Sequence, residues 1–409
     1  VCTDDGGCPG VPTIMAQNQA ILDGVDVVNY SIGGGSSNPW GGALEFTWLV
    51  MRNAGVMVAT SAGNSGPGDG TLGYAGDLPW VISVGANTHD RAFLNSITLS
   101  DMTGNITTSV TIDGRSFTGS LITPTEVVLS ADYADVITGT ADDARLCAPG
   151  AFPAGTFDGE IVVCERGAYG RVAKGESVAA GGAGGYILAQ PAEVGGVPGA
   201  IAADPHVLPA VHITYDGYQE MLQYITDTMT ADGTVVGTIA GTTLDVDESY
   251  GNIMTSFSSR GPNLTTGLED IVVPKVTAPG RDIIAAYFQG PMGDNDPTWN
   301  AISGTSMSSP HVAGASALMV ALHPDWSPAE IESALMTTAR TNVLNDDGVN
   351  PATPFAQGSG HIDLTVAGKA GLVLDVTGAE YNAANPATGG SPRDLNLASM
   401  GDSSCVSVC

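Results

Sequence analysis

Residues 13–23 (TIMAQNQAILD) place apolar side chains three and four positions apart, the spacing of one helix face, and Gly24 ends the run. The stretch DVVNYSIGG (26–34) is a short apolar strand entering a Gly-rich turn. Residues 42–54 (GALEFTWLVMRNA) return to helical spacing, Gly55 closes them, and VMVATSAG (56–63) and WVISVGA (80–86) predict two further strands. Strands this uniformly apolar, alternating with helices, indicate a parallel sheet covered on both faces.

The texture changes near residue 105. TTSVTIDGRSFTGSL (107–121) alternates as a β-hairpin does. A small α/β unit follows: strand GEIVVCERG (159–167), helix RVAKGESVAAGGAGG (171–185), strand YILAQ (186–190), closing near VVGTIAG (235–241). The predicted organisation is a first domain over 1–121, an inserted domain over 122–242, resumption of the first over 243–376, and a linker over 377–409. The resumed part predicts a long helix from Ser306 to about Leu322 and another from Pro328 to about Thr338. The final Asn-, Gly- and Pro-rich stretch leads toward a further domain beyond the chain.

Composition narrows the function. Forty-three acidic residues against 13 basic ones give a net charge of −30, dispersed along the chain. Nucleic acid is excluded as a partner, since binding it needs clustered Lys and Arg. The acidity reads as a solubility surface or as adaptation to salt. No apolar run reaches the 18 or so residues of a membrane span. Six Cys fall into three close pairs, Cys2 with Cys8, Cys147 with Cys164 and Cys405 with Cys409, none as CxxC and none beside a His at metal spacing. Local disulfides and a secreted, extracellular location are expected, six buried free thiols being the alternative. No metal site is expected, and no EF-hand-like spacing indicates calcium.

The chemistry concentrates in GTSMSSPHVAGASALMVALHP (304–324), where Ser306 stands at the mouth of an apolar helix. A Ser there is most often a helix cap. Its hydroxyl would alternatively lie beside orphan amides that favour an oxyanion. The segment lacks the second Gly of GxSxG, so an α/β-hydrolase elbow is excluded.

Gly304 to Gly314 (GTSMSSPHVAG) resembles the nucleophile signature of the subtilisin-like serine peptidases, the subtilases of family S8. The resemblance implies a three-layer α/β fold with a mostly parallel sheet, protein or peptide substrates and Ser306 as nucleophile. VMVATSAGNSGP (56–67) resembles the strand leading to the oxyanion-hole Asn, which falls on Asn64. In subtilisin, the worked case for this effect, losing that Asn costs on the order of 10²–10³ in turnover. DVVNYSIGGG (26–35) resembles the edge strand that pairs with substrate, which implies Ser31, Ile32 and Gly33 on one wall of the primary pocket and Ser61, Ala62 and Gly63 on the other. Residues 146–190 and ADPHVLPAVHI (203–213) resemble the protease-associated (PA) domain of large subtilases, in which a pair like Cys147 and Cys164 recurs. That domain is also where self-association would be expected. SFSSRGPN (256–263), VTAPGRDIIAA (276–286), WSPAEIESALMTTA (326–339) and GSGHIDLTVA (358–367) continue the resemblance. Lys275 stands where Asp is common in this group, which reads as a surface-loop change.

A Ser nucleophile needs a base and the base an orienting carboxylate. None of the six His lies in an H-G-T-H context and no Asp in D-[ST]-G. His311, five positions along the helix, is turned about 140° from Ser306. The family order Asp, His, Ser puts both partners upstream of Val1, so the 409 residues are expected to be inactive alone and to lack central strands of their sheet. The alternative is an inactive subtilase-like peptide-binding module.

Overall fold

The computed structural model describes residues 2, 7–35, 38–191, 201–265, 267–287 and 298–399. Two compact units emerge, one of residues 1–89, 251–281 and 303–409, the other of residues 90–250 and 282–302. The second unit is wider than the 122–242 stretch picked out by texture.

Along the chain, the first unit opens with α1 (Gly10–Leu22), β1 (Val27–Tyr30), α2 (Ala43–Asn53), β2 (Met57–Ser61) and β3 (Ile82–Asn87). The second unit follows with β4 (Arg91–Asp101), β5 (Val110–Arg115), β6 (Leu121–Leu129), α3 (Ala141–Arg145), β7 (Ile161–Glu165) and α4 (Arg171–Gly181). It continues through β8 (Gly185–Ala189), β9 (Ala210–Ile213), α5 (Tyr215–Thr230), β10 (Val235–Ile239) and β11 (Thr243–Val246). After β12 (Val276–Pro279) in the first unit, β13 (Ile283–Tyr287) and β14 (Thr298–Ile302) pair with each other in the second. The first unit closes with α6 (Thr305–Leu322), α7 (Pro328–Thr337), α8 (Pro354–Gln357), α9 (Leu364–Ala367) and α10 (Gly378–Ala383).

In the first unit β1-β2-β3-β12 form an all-parallel sheet. Successive side chains of a strand face opposite ways, so one strand supplies two cores. Met57 and Ala59 of β2 pack with Val312, Ala315 and Met319 of α6, while Val56 and Val58 pack with Trp48, Leu49 and Met51 of α2. The apolar runs seen in the sequence are therefore the two sides of one covered sheet.

The second unit is built on an eight-stranded sheet in the order β10-β6-β7-β8-β9-β5-β4-β11. Because β4 also pairs with β10, this sheet closes on itself. Ile97, Ile112, Ile161, Ile187 and Val211 line one core with α5, and Val162, Tyr186 and Leu188 line another with Val178 of α4. The expected hairpin over 107–121 does not form. β5 pairs with β4 and β9, whereas β6 pairs with β7 and β10. The connection makes long-range bonds instead of turning tightly: Phe117 N donates to Asp204 O, and Thr118 N to Thr242 Oγ1.

Disulfides join Cys2 to Cys8 and Cys147 to Cys164; Cys405 and Cys409 lie outside the described residues. The described part of the 377–409 stretch is not a loose linker. Tyr381 on α10 is fully buried beside Trp80, its carbonyl accepts from Trp40 Nε1, and Leu395 and Leu397 pack on the same cluster. Burial of so large a ring takes a substantial apolar area out of water, which local Gly and Pro content does not reveal. Among the described residues no helix is long and apolar enough to cross a membrane.

Lys275 also departs from its sequence reading. It is 1% exposed, and its Nζ donates to Pro79 O and to Glu332 Oε1. Arg52 Nη1 reaches the other oxygen of Glu332 at 2.6 Å and sits over the Tyr381 ring. Burial alone would raise the Glu332 carboxyl, but Lys275 and Arg52 outweigh it and hold it below the ordinary carboxylate range. The carboxylate is thus shared by two buried cations, one on each oxygen.

Glu332→Ala should therefore cost about 3–5 kcal/mol, because it strands two buried charges. Lys275→Met should cost much less, since Arg52 still neutralises the carboxylate. Urea unfolding of the two variants checks this, and equal costs would contradict it. With the folded-state pKa of Glu332 lowered, its contribution is present above the unfolded value near about 4.3 and is lost as pH falls through the folded value. Removing the disulfide by Cys147→Ala with Cys164→Ala opens a loop of separation 17 and should cost about 3 kcal/mol.

Candidate active site

The candidate residues leave the carboxyl ends of adjacent parallel strands. Tyr30 of β1 is in register with Thr60 of β2, so Ser31–Gly33 and Ser61–Gly63 depart side by side. Crevices at the carboxyl ends of parallel strands are where α/β sheets bind ligands. Gly34 and Tyr74 exchange backbone hydrogen bonds, and Gly73 N donates to Ala62 O, which ties the two segments through residues 73 and 74. Ser61 and Ala62 are buried; Ser31 and Ile32 are half-buried and Gly33 is exposed.

Gly63 adopts φ 111°, and a Cβ there would meet Ser259 Oγ at 2.7 Å. Gly is required by both the backbone region and the space. Ser259 N donates to Gly63 O and Ser65 N to Ser259 Oγ, so part of the SFSSRGPN segment braces the loop that carries Asn64. Sequence reasoning gave that segment no role.

At the start of α6 no side chain of the preceding residue caps the helix. Thr305, the first helical residue, is fully buried and bonds outward. Its N and Oγ1 donate to Asn64 Oδ1 at 2.9 and 2.8 Å, and Gly63 N donates to Thr305 Oγ1 at 3.2 Å. With Oδ1 fixed, the amide of the exposed Asn64 has one orientation, and its Nδ2 has no acceptor among the described residues. The Ser306 amide belongs to the first turn, where N–H groups have no intrahelical acceptor. Two donors are thus left available at the mouth of α6.

Pro310 lies within α6 and has no N–H, so the carbonyl four residues earlier, that of Ser306, loses its helical donor. Ser31 Oγ takes its place, donating to Ser306 O at 2.9 Å, while Ser306 Oγ donates to Ser31 O at 3.2 Å. Asn29 extends the network: its Nδ2 donates to Ser31 Oγ and its Oδ1 accepts from Ser309 Oγ at 2.6 Å. The position of Pro310 in the sequence is the signal that could have exposed this exchange.

Among the described residues no His is hydrogen-bonded to Ser306 Oγ. His311 is exposed and its Nδ1 is engaged with Met307 O. His361 Nδ1 faces Asn87 Nδ2, and burial lowers its pKa. His323 Nε2 meets Gly368 O while its ring stacks on Trp326. His206 and His212 belong to the other unit. No group of three or more His, Cys, Asp or Glu able to hold a metal occurs among the described residues.

Comparison with known proteins agrees with this architecture. The peptidase S8 subtilase family matches over residues 1–360. Similar proteins include the subtilisin-like proteases SBT5.4 and SBT1.7 of Arabidopsis thaliana, 38% and 36% identical over 92% of this chain and 48% and 49% of theirs. SBT1.6 of the same plant is 34% identical over 97% of this chain and 51% of its own. The chain spans about half the length of these relatives. Matched over most of its length and carrying the Ser306 helix mouth beside Asn64, the chain belongs to the subtilase family of serine peptidases.

Proposed function

We propose that the complete protein is a secreted endopeptidase that cleaves peptide bonds through an acyl-enzyme on Ser306. The observation that carries this reading is the pinned amide of Asn64 beside the uncapped start of α6. Ser306 Oγ attacks the scissile carbonyl carbon, exchanging its bond to Ser31 O for one to a base that takes the proton. The carbonyl oxygen becomes an oxyanion received by Ser306 N–H and Asn64 Nδ2, donors already oriented before substrate arrives. The base returns the proton to the leaving amine, and water then releases the acyl group. Ser31–Gly33 pair with the extended substrate, and Ser61–Gly63 form the facing wall of its primary pocket.

The base and its carboxylate are assigned to a segment outside these 409 residues, in the family order Asp, His, Ser. In support, Ser306 Oγ has no His partner among the described residues, and the outer edge of β1 carries no further strand among them. The second unit is assigned as a protease-associated domain, with the Cys147–Cys164 bridge in its favour and any self-association placed there. The two disulfides support secretion. No cofactor is required for this chemistry.

In the full-length protein, Ser306→Ala should abolish hydrolysis of a peptide ester. Asn64→Gly should lower kcat on the order of 10²–10³-fold with little change in KM. The 409-residue chain alone should show no turnover above background. A full-length protein that binds peptides but is unaffected in turnover by Ser306→Ala would sink the peptidase reading and favour a binding module.

A further inference from the structure

Only 13 basic residues oppose 43 acidic ones in this chain, yet Arg145, Arg166, Arg171 and Lys174 crowd around the β7–α4 connection. They lie within electrostatic reach of one another: Arg166 of Arg171, and Lys174 of both Arg166 and Arg145. Three carboxylates answer them directly. Asp142 and Glu165 pair with Arg145, and Asp204 takes Arg171 in a two-point contact of 2.5 and 2.8 Å. Lys174 is fully buried with Nζ on the Leu146 carbonyl and over the Tyr169 ring. The half-buried Arg166 has no ion pair among the described residues.

The surroundings also favour an anion. The connection leaves the carboxyl end of β7, a strand flanked by parallel β6 and β8, and enters α4. α4 has no side-chain cap and no acid in its first turn, so the amides of Arg171, Val172 and Ala173 have no acceptor among the described residues. A second feature, independent of the helix, points the same way. His212 on β9 is 1% exposed, its Nε2 has no partner, and it lies within electrostatic reach of Arg171, Asp204 and Arg166. Burial holds this ring neutral, with its pKa pushed down to about 3. The tautomer in which Ala202 N–H donates to Nδ1 leaves Nε2–H free to donate.

We propose that this corner of the second unit is a carboxylate-binding site, in which Arg166 grips an incoming carboxylate as Arg171 grips Asp204. One free planar guanidinium matches one planar carboxylate at two points. A phosphate dianion would call for a second free cation, and Arg171 and Lys174 are already engaged. The site is independent of Ser306 chemistry, so its test does not depend on peptidase activity.

The test is calorimetric titration of the full chain at fixed low ionic strength with two probes, succinate and the blocked peptide acetyl-Asp-Glu-Asp-amide. Acetyl-Asn-Gln-Asn-amide is the neutral control. Saturable binding of either acidic probe, weakened about tenfold or more by Arg166→Gln and untouched by Arg91→Gln, is expected. Arg166→Lys, which keeps the charge but loses the planar fork, should fall between wild type and Arg166→Gln, and serves if the Gln variant does not fold. Binding of both probes means that the group itself is recognised; binding of the peptide alone means that a chain must present it; either supports the site. No saturable binding of either acidic probe, equal binding by both Arg166 variants, or equal binding of the neutral peptide would overturn it.

Discussion

The mouth of α6 cannot satisfy itself, and the candidate active site follows from how the rest of the unit satisfies it. Two defects sit within the first turns: no side chain caps the helix, and Pro310 removes the donor owed to Ser306 O. Asn64 Oδ1 answers the first by accepting from Thr305, and Ser31 Oγ answers the second. Each repair draws in a segment from the end of a neighbouring parallel strand, so the strand ends and the helix mouth are fixed against each other. Oriented donors then remain beside Ser306 without further machinery. The helix start is paired outward rather than inward, and the proposed oxyanion site rests on that arrangement.

Much of this was legible in the sequence where function and local pattern coincide. GTSMSSPHVAG and SAGNSGP singled out Ser306 and Asn64, which the structure brings to one helix mouth, and the apolar runs of β2 and β3 gave the covered parallel sheet. What escaped depended on partners far away in the chain. Lys275 looked like a loop residue because its counter-charge, Glu332, is 57 positions on. The alternation of β5 was read correctly as strand but assigned the wrong partner, since period two says which face is buried and not which strand lies alongside. Tyr381 was lost in a Gly- and Pro-rich stretch because its burial is supplied by Trp80 and Arg52.

Cations are scarce here, and several of them are inside. Arg52, Lys174, Arg260 and Lys275 are all buried. Four acidic residues, Asp77, Asp204, Asp282 and Glu332, are buried as well, so among the described residues burial withdraws as much negative charge from the surface as positive. Each buried cation must find a carboxylate, a carbonyl or an aromatic face. Arg52 and Lys275 share Glu332, and Arg260 holds Asp346 at 2.8 Å. Arg166 stands apart as a half-buried cation without such an answer among the described residues, which is why an external carboxylate is proposed for it.

The central claim is that Ser306 is the activated nucleophile of the complete protein. Treating the full-length protein with a fluorophosphonate and mapping the adduct by peptide mass spectrometry tests it most directly. The expected result is one phosphonylated residue, Ser306, with loss of peptidase activity in step with labelling. An active protein whose adduct forms on another residue, or that keeps full activity with Ser306 fully labelled, would contradict it.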